Sequence, residues 1–300
     1  MYYIGIDIGG TNIEIGWVDR NGNIIKHIRH STEQFDHAQE FVEQLVEDID
    51  SSGISTSEIG GIGIGAPNGN YFEGSIENAP NLKWEDNVPL AKIINHCTGL
   101  PVTLTNDANA VAHGELQFGY GKKYSHFAVI TLGTGLGSGI VVDGKVLYGK
   151  HGVAGEFGHV NVYPGGRRCT CGRNGCLETY VSRRGIKQTY LEKGGKEELE
   201  PHLIAELARK GDKTARETFD YTSRILGLKL ADLVHLFDTE AIILYGGIAK
   251  SHDLIIPVAK EEMEKELMSN FKNRVEILPS TMLDGKAGIL GAAAVAMYKN

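Results

Sequence analysis

The apolar and polar positions along the chain follow patterns typical of a mixed α/β protein. The apolar run YYIGIDIG (2–9) predicts a buried strand that ends in glycine, and NIEIGWVD (12–19) predicts a second strand that leads to a turn at Asn21-Gly22. Between positions 35 and 49, apolar residues recur at helical spacing until Gly53, which predicts a crossover helix. Later segments predict strands at 61–67, 102–105 and 241–247, a helix at 109–117 and an apolar closing helix at 287–298.

The order of strand, glycine-rich turn and strand occurs twice. Shifting the sequence by 124 positions aligns Asp7 with Thr131 and Gly9 with Gly133, and both copies have a glycine in the hairpin turn that follows. A period of this length is too long for a solenoid. It predicts two similar α/β domains that face one another across a cleft.

The domain change is expected near Phe118, with the closing helix returning to the first domain. The predicted small domain therefore comprises 1–118 and about 286–300. The predicted large domain comprises 119–285 and carries a cluster of cysteines. No low-complexity segment or linker interrupts this organisation.

The composition indicates a globular chain with a small-molecule partner. The 300 residues are 41% hydrophobic, enough for a sizeable core, and carry a net charge of −8. An acidic balance disfavours a nucleic acid or an anionic membrane held by charge alone. The sequence contains neither a signal-peptide pattern nor an apolar run that approaches the ~18 residues of a membrane span. We therefore expect a cytoplasmic protein that binds neither nucleic acid nor membrane.

Two glycine-rich turns are candidates for binding phosphate. Asp7-Ile-Gly9-Gly10-Thr11 follows the first strand, where glycines let backbone N–H groups approach a phosphate and a carboxylate can hold Mg²⁺ through water. The second copy has GTGLGSG at 133–139. Neither turn matches a Walker loop or a dinucleotide fingerprint. The alternative is that both are tight hairpin entries without a ligand, but the pair favours a nucleotide held by hairpin turns.

Asn106-Asp107 closes the strand VTLT. A carboxylate there could point into a cleft and accept a hydroxyl proton as a general base. Alternatively, Asp107 only caps the following helix. The local sequence leaves these two interpretations open.

Three of the four cysteines lie within eight residues and suggest a metal site. Cys169, Cys171 and Cys176 form, with His159, a complete Cys₃His tetrahedral set. Four protein ligands leave no open position, so a zinc ion held there would be structural. The alternatives are reduced thiols on a loop or a redox pair, and a nucleic-acid zinc knuckle is disfavoured by the acidic charge.

Two glutamates bracket this cluster. Closing the metal site would bring together and orient Glu156 and Glu178, and paired acceptors suit neighbouring hydroxyls. The fourth cysteine, Cys97, is expected to be a buried small hydrophobic residue.

Taken together, these segments resemble the ROK family of sugar kinases and sugar-responsive repressors, within the hexokinase, actin and Hsp70 fold group. The resemblance covers essentially the whole chain. It rests on five segments in family order, DIGGT (7–11), TNDANA (105–110), LGTGLGSG (132–139), EFGH (156–159) and CTCGRNGCLE (169–178).

The resemblance implies ATP-dependent phosphorylation of a hexose, with Asp107 taking the proton of the sugar 6-hydroxyl during in-line attack on the γ-phosphorus. It implies that the sugar is bound by Asn68, Asn106, Asp107, Glu156, His159 and Glu178. It implies a nucleotide and Mg²⁺ at Asp7, Gly9, Gly10, Thr11, Asn12, Gly133, Thr134, Gly135, Gly137, Gly246 and Gly247. Structural Zn²⁺ is implied at His159, Cys169, Cys171 and Cys176.

One departure from the family pattern concerns the sugar. Where many relatives have Pro-Gly, an apolar residue and Asp, this chain has Pro67-Asn68-Gly69-Asn70. The glutamates and the 162–164 spacer resemble the glucokinases of the family, so glucose is favoured and an N-acetylhexosamine (N-acetylglucosamine or N-acetylmannosamine) is the alternative substrate.

Two further expectations follow from the resemblance. Family repressors carry a helix-turn-helix ahead of the first strand, which here already begins near Tyr3, so a kinase is favoured over a repressor. Apolar closing segments and family habit favour a homodimer or homotetramer.

Overall fold

A computed structural model describes residues 1–79, 81–282 and 286–298. The strands are β1 (Tyr2–Ile8), β2 (Asn12–Asp19), β3 (Ile24–Ser31), β4 (Ile59–Ala66), β5 (Gly69–Asn70), β6 (Ser75–Glu77), β7 (Asn87–Val88), β8 (Val102–Asn106), β9 (Phe127–Leu132), β10 (Leu136–Val142), β11 (Lys145–Val146), β12 (Ala241–Tyr245) and β13 (Glu276–Pro279). The helices are α1 (Ala38–Asp50), α2 (Leu90–Thr98), α3 (Asp107–Phe118), α4 (Glu178–Val181), α5 (Arg183–Glu192), α6 (Pro201–Arg209), α7 (Lys213–Phe237), α8 (His252–Glu266) and α9 (Ala287–Tyr298).

The chain separates into two compact units. The first contains Met1–Lys123, Val146–Ala154 and Asp284–Asn300, and the second contains Tyr124–Lys145 and Gly155–Leu283. The segment Val146–Ala154 thus belongs to the first unit, whereas the predicted ranges put it in the second. Positions 283–285 and 299–300 of those ranges lie outside the described residues.

The first unit contains a five-stranded sheet in the order β3-β2-β1-β4-β8. Strands β1 and β2 form an antiparallel hairpin, while β4 runs parallel to both β1 and β8. Isoleucines alternate along β1 and β2 and are almost completely buried, as expected for β-branched residues on a packed sheet face. Because β1, β4 and β8 are parallel, their carboxyl ends meet at one edge of the sheet.

The second unit repeats this arrangement. Its sheet has the order β11-β10-β9-β12-β13, in which β9 and β10 form the antiparallel hairpin and β12 lies parallel to β9 and β13. Helices α4 to α8 supply much of the separate apolar core that covers it. The internal repeat predicted from the sequence is therefore confirmed at the level of strand order.

Helix α9 packs on the first sheet at very short range. A Cβ atom at Gly63 would lie 1.8 Å from the carbonyl oxygen of Ala292, and one at Gly5 would lie 2.1 Å from that of Ile289. Only glycine on β1 and β4 permits so close an approach. A Cβ atom at Gly291 would lie 2.4 Å from Ala110 O, so α9 also packs tightly on α3.

This packing accounts for the apolar sequence of the closing helix, because α9 is buried within its own unit. The oligomeric state stays a prediction. In the described part of the chain, no helix is both long enough and apolar enough to cross a membrane.

The prediction for Cys97 is wrong, because this cysteine is exposed. Helix α2 buries Leu90 and Ile94, and Cys97 lies in its last turn, past both of them. A thiol at this position contributes little to the core.

Candidate active site

Three of the predicted site residues lie at the carboxyl edge of the first sheet. Asp7 pairs in register with Gly65 of β4, and Ala66 pairs with Asn106 of β8. The chain then continues from β8 directly into α3, whose first residue is Asp107. The strand order therefore brings Asp7, Asn106 and Asp107 to a common edge.

Asn106 and Asp107 both accept a hydrogen bond from the backbone at the start of α3. The side-chain oxygen of Asn106 accepts a hydrogen bond from Ala108 N at 2.9 Å, so Asn106 is the helix cap. Asp107 Oδ1 accepts from the same amide at 2.8 Å, and Asp107 is an exposed residue in the first turn of α3. This leaves the Asp107 carboxylate accessible to a ligand and lying at the favourable end of the helix dipole.

Asn68 follows β4 in a loop that lies against the end of β8. It adopts a left-handed backbone with φ of 51°, which asparagine tolerates better than most residues. Its side-chain amide donates to Asn78 O at 2.9 Å. A Cβ atom at Gly69 would lie only 2.4 Å from Thr105 O, which shows how closely this loop packs on β8.

Asp7 is a half-buried residue whose carboxyl group lies in an unfavourable electrostatic setting. Burial, and then the nearby carboxylates of Asp107 and Glu14, raise the pKa of Asp7 to about 7. The start of α9 also closes over it, since a Cβ atom at Gly288 would lie 1.9 Å from Asp7 Oδ2. A cation bound nearby would stabilise the ionised form.

The first glycine-rich turn joins β1 to β2. Gly9 N donates to Asn12 O at 2.9 Å, and the Thr32 hydroxyl donates to Gly9 O at 2.7 Å. Gly10 and Thr11, at the tip, are exposed. The turn is thus held at its base, while its tip is accessible to a ligand.

The second glycine-rich turn joins β9 to β10 and is similarly held. Gly133 N donates to Gly135 O at 3.0 Å, and Gly137 N donates to the Thr131 hydroxyl at 3.1 Å. Among the described residues, none accepts a hydrogen bond from the amides of Thr134 and Gly135. These two amides and the exposed Thr134 hydroxyl are the donors that this turn offers to a phosphate.

Gly246 and Gly247 follow β12 beside the same turn. Gly246 has φ of 103°, and a Cβ atom there would lie 2.4 Å from Leu132 O at the end of β9. Glycine is therefore required at position 246. A Cβ atom at Gly247 would meet no other atom within 4 Å, so the backbone here is open to a ligand.

The predicted metal ligands come together in the second unit. The ligand atoms of His159, Cys169, Cys171 and Cys176 all lie within 4.8 Å of one another. Cys171 Sγ lies 3.6 Å from Cys176 Sγ, and Cys169 Sγ lies 3.7 Å from His159 Nδ1. In a zinc tetrahedron with ordinary bond lengths these edges measure about 3.6–3.8 Å. These two donor pairs therefore have the spacing of zinc ligands.

Each of the bracketing glutamates lies beside one of these ligands. Glu178 Oε1 lies 3.8 Å from Cys169 Sγ, and its other oxygen accepts from Leu136 N at 3.0 Å. Glu156 Oε2 lies 3.8 Å from His159 Nε2, the ring nitrogen that faces away from the cysteines. Glu178 thus connects the cysteine cluster to the second glycine-rich turn.

A family model described as the ROK family matches residues 3–299. The chain belongs to the ROK family. This membership confirms the resemblance inferred from the five sequence segments.

Relatives within the ROK family match over almost their full length. A glucokinase of Streptomyces coelicolor is 35% identical over 98% of this chain and 96% of its own length, and one of Thermotoga maritima is 34% identical over 97% and 96%. A solved structure of a ROK family glucokinase from Streptomyces griseus, in complex with glucose and AMPPNP, is 34% identical, with a TM-score of 0.83 over 99% of this chain and 100% of that one. The predicted α/β fold with actin-like domains is thereby confirmed.

Sequence reasoning missed one residue of this ROK cysteine cluster. Arg173 lies inside the loop and donates to His159 O at 2.6 Å. Burial raises the pKa of the Cys171 thiol, but hydrogen bonds with the Arg173 backbone and side chain, together with those to Cys169 and Cys176, outweigh this and bring it to about 6. A basic residue between two ligand cysteines is a signal that could have identified it.

Proposed function

We propose that the protein is an ATP-dependent hexose 6-kinase that converts ATP and D-glucose to ADP and glucose 6-phosphate. The observation that carries the proposal is the likeness to the Streptomyces griseus glucokinase, whose structure contains glucose and AMPPNP. AMPPNP is ATP with an imido group in place of the β–γ bridging oxygen. The likeness extends over 99% of this chain, so it includes every segment that carries a candidate site residue.

The proposed general base is Asp107. Its carboxylate is exposed at the start of α3, where it can accept the proton of the sugar 6-hydroxyl as that oxygen attacks the γ-phosphorus. Asn106 fixes the start of the same helix by capping it, which holds the base in position. Phosphoryl transfer depends on such positioning more than on covalent chemistry by the protein.

The proposed sugar ligands have groups suited to hydroxyls. Carboxylates and amide oxygens accept hydrogen bonds from hydroxyl groups, and amide nitrogens donate to them. The Asn68 amide nitrogen is already bound to Asn78 O, so its oxygen is the group left for a ligand. The proposed set is Asn68, Asn106, Glu156, His159 and Glu178.

The two turns are proposed to hold the phosphates of ATP, with Mg²⁺ near Asp7. The high pKa of Asp7 supports this assignment, because a divalent cation would offset the cost of a buried carboxylate. The proposed nucleotide contacts are Gly9, Gly10, Thr11, Asn12, Gly133, Thr134, Gly135, Gly137, Gly246 and Gly247.

The cysteine cluster is proposed to hold a structural Zn²⁺ ion. Three thiolates and one imidazole are the donors that zinc prefers, and four protein ligands leave no position for a substrate. Through Cys169 and His159 the ion would orient Glu178 and Glu156.

A coupled assay of ADP release tests the proposal. Glucose, mannose, N-acetylglucosamine and N-acetylmannosamine are offered separately with ATP and Mg²⁺, and we expect the highest kcat/KM with glucose. A preference for either N-acetylated sugar would make the protein a hexosamine kinase. Absence of turnover on all four would contradict the kinase proposal.

A further inference from the structure

The segment Val146–Ala154 belongs to the first compact unit, although its neighbours in sequence belong to the second. Tyr124–Lys145 precede it and Gly155–Leu283 follow it, and both of these ranges are in the second unit. A hydrogen bond from Ala154 N to Tyr148 O at 3.1 Å closes the segment on itself. None of the site residues predicted from the sequence lies in it. The proposed function therefore leaves its contacts unexplained.

Tyr148 joins this segment to α3. Its hydroxyl oxygen lies 2.7 Å from Nε2 of His113. His113 is 2% exposed, and its other ring nitrogen, Nδ1, has no hydrogen-bond partner among the described residues. Burial lowers the pKa of His113 to about 4, so the ring is neutral at pH 7. The contact with Tyr148 is thus the one hydrogen bond that the described residues offer to this buried imidazole.

The Tyr148 hydroxyl also lies near the end of β8. Burial raises the pKa of Tyr148, and the nearby side chain of Thr105 opposes part of that rise. Thr105 is completely buried and comes directly before Asn106 and Asp107. His113 follows Asp107 in the same helix, after about 9 Å of helix. One hydroxyl therefore reaches residues on both sides of the junction between β8 and α3, which carries the proposed base.

The ring of Tyr148 makes a second contact, with the loop that carries Asn68. It stacks on the ring of Tyr71, with the ring centres 3.9 Å apart and the planes at 12°. Tyr71 follows shortly after Asn68, at the end of β5. Between them lies Asn70, whose side-chain amide donates to His151 O at 3.4 Å. The segment Val146–Ala154 therefore contacts this loop at two points.

We propose that Tyr148 is a positioning residue for phosphoryl transfer to the sugar. Its hydroxyl holds the junction between β8 and α3 and thereby fixes the Asp107 carboxylate, while its ring holds the loop that carries Asn68. The inference rests on the proposed function, in which Asp107 is the general base and Asn68 binds the sugar. Displacing a reacting group by about 1 Å can lower the rate about 100-fold. A contact outside the site can therefore control kcat.

The chemistry of the contact suits positioning better than packing alone. Burying the hydroxyl of Tyr148 and the imidazole of His113 costs free energy that two apolar side chains would not incur. In return, a hydrogen bond fixes both the distance and the direction between two groups. The pair is thus the kind of contact that holds a helix start in one place.

Two substitutions at Tyr148 separate the hydroxyl from the ring. Tyr148→Phe removes the hydroxyl and keeps the stacked ring, so it should lower kcat with glucose about 10–100-fold and leave the KM for glucose and for ATP within about twofold of wild type. Tyr148→Leu also removes the stacked ring, so it should in addition raise the KM for glucose about threefold to tenfold.

The matched control is Tyr3→Phe, which also removes one hydroxyl from a tyrosine of the first unit. Tyr3 lies in β1, is 4% exposed, and its hydroxyl contacts the sulfur of Met1 at 3.8 Å. This variant should have the kcat and both KM values of the wild type.

Substitutions at His113 show whether the hydrogen bond is the cause. The side-chain amide of glutamine can take the position of Nε2, so His113→Gln should keep most of the wild-type kcat. His113→Leu cannot bond to Tyr148 and should match Tyr148→Phe. Because both residues act through one contact, the double variant Tyr148→Phe/His113→Leu should be no slower than either single variant.

Amide hydrogen exchange gives a measurement that does not depend on turnover. If the Tyr148 hydroxyl holds the start of α3, the amides of residues 107–113 should exchange faster in Tyr148→Phe than in the wild type. They should exchange at the wild-type rate in Tyr3→Phe.

Two kinetic results would overturn the proposal. A wild-type kcat in Tyr148→Phe, even with a lower melting temperature, would limit the contact to stability. Equal losses of kcat in His113→Gln and His113→Leu would show that the hydrogen bond is not the cause. Failure of the wild type to phosphorylate any sugar would instead refute the proposed function. Hydrogen exchange would still decide the role of Tyr148, because unchanged exchange over 107–113 in Tyr148→Phe would exclude it as the group that holds this junction.

Discussion

Replacing Cys171 by alanine tests whether a bound metal orients the proposed sugar ligands. Cys171 is exposed, so losing its sulfur atom leaves no cavity in the core. An exposed substitution of this kind ordinarily changes the free energy of unfolding by no more than about 0.5 kcal/mol. Any larger effect of Cys171→Ala would therefore report the loss of a metal ligand.

The expected effect is much larger than that limit. Structural zinc contributes about 10–16 kcal/mol through four ligands, or about 2.5–4 kcal/mol for each. For a unit of this size, such a loss lowers the melting temperature by about 5–16 °C. Because Glu178 lies 3.8 Å from Cys169 and Glu156 lies 3.8 Å from His159, the KM for glucose should also rise, by about 10–100-fold.

Three measurements on Cys171→Ala and on Cys97→Ala check this prediction. Cys97 is an exposed cysteine outside the cluster and serves as the matched control. Metal content, melting temperature and the KM for glucose should change in Cys171→Ala and remain at wild-type values in Cys97→Ala. The reasoning is refuted if the two variants behave alike, or if metal-free wild type keeps normal glucose affinity.

Three further predictions concern the proposed catalytic base, the second turn and Asp7. Asp107→Asn should lower kcat by about 10²–10⁴-fold with glucose binding still measurable by calorimetry, and equal losses of both would indicate a structural role. In Gly135→Ala the new Cβ atom would lie 2.5 Å from Glu178 Oε2 and would displace this carboxylate. The KM for glucose should therefore rise about tenfold or more. An unchanged KM would show that Glu178 does not bind the sugar. The pKa of Asp7 is raised to about 7, so the folded chain binds this proton more tightly than the unfolded chain. The free energy of unfolding should therefore fall as the pH rises from about 4 to about 7, by up to about 4 kcal/mol, and stay at that lower value above pH 7. Asp7→Asn should therefore raise the melting temperature of the ligand-free protein more at pH 8 than at pH 5 and lower ATP-dependent activity, whereas equal shifts at both pH values would contradict the pKa.

The sequence predicts the repeated hairpin and the closing helix well because their apolar patterns are strong and the hairpin pattern occurs twice. The hairpins β1-β2 and β9-β10, the closing helix and the cysteine cluster all carry local signals in residue type and spacing. The exposure of Cys97 was not predictable in this way, since it depends on where α2 leaves the core.

Tertiary contacts that lack a local signal account for the remaining differences. The hydrogen bond from Leu136 N to Glu178 joins residues 42 positions apart, and the pairing of Arg183 with Glu200 spans 17. Spacing along the chain does not show that such groups meet.

The identity of the reaction product tests the central claim most directly. Wild-type protein is incubated with ATP, Mg²⁺ and D-glucose, and the phosphorylated sugar is identified by ³¹P and ¹H NMR. We predict glucose 6-phosphate formed in equal amount to ADP, and about a hundredfold less of it or lower with Asp107→Asn over the same period. Phosphate on another hydroxyl, or ADP released without a phosphorylated sugar, would contradict the account.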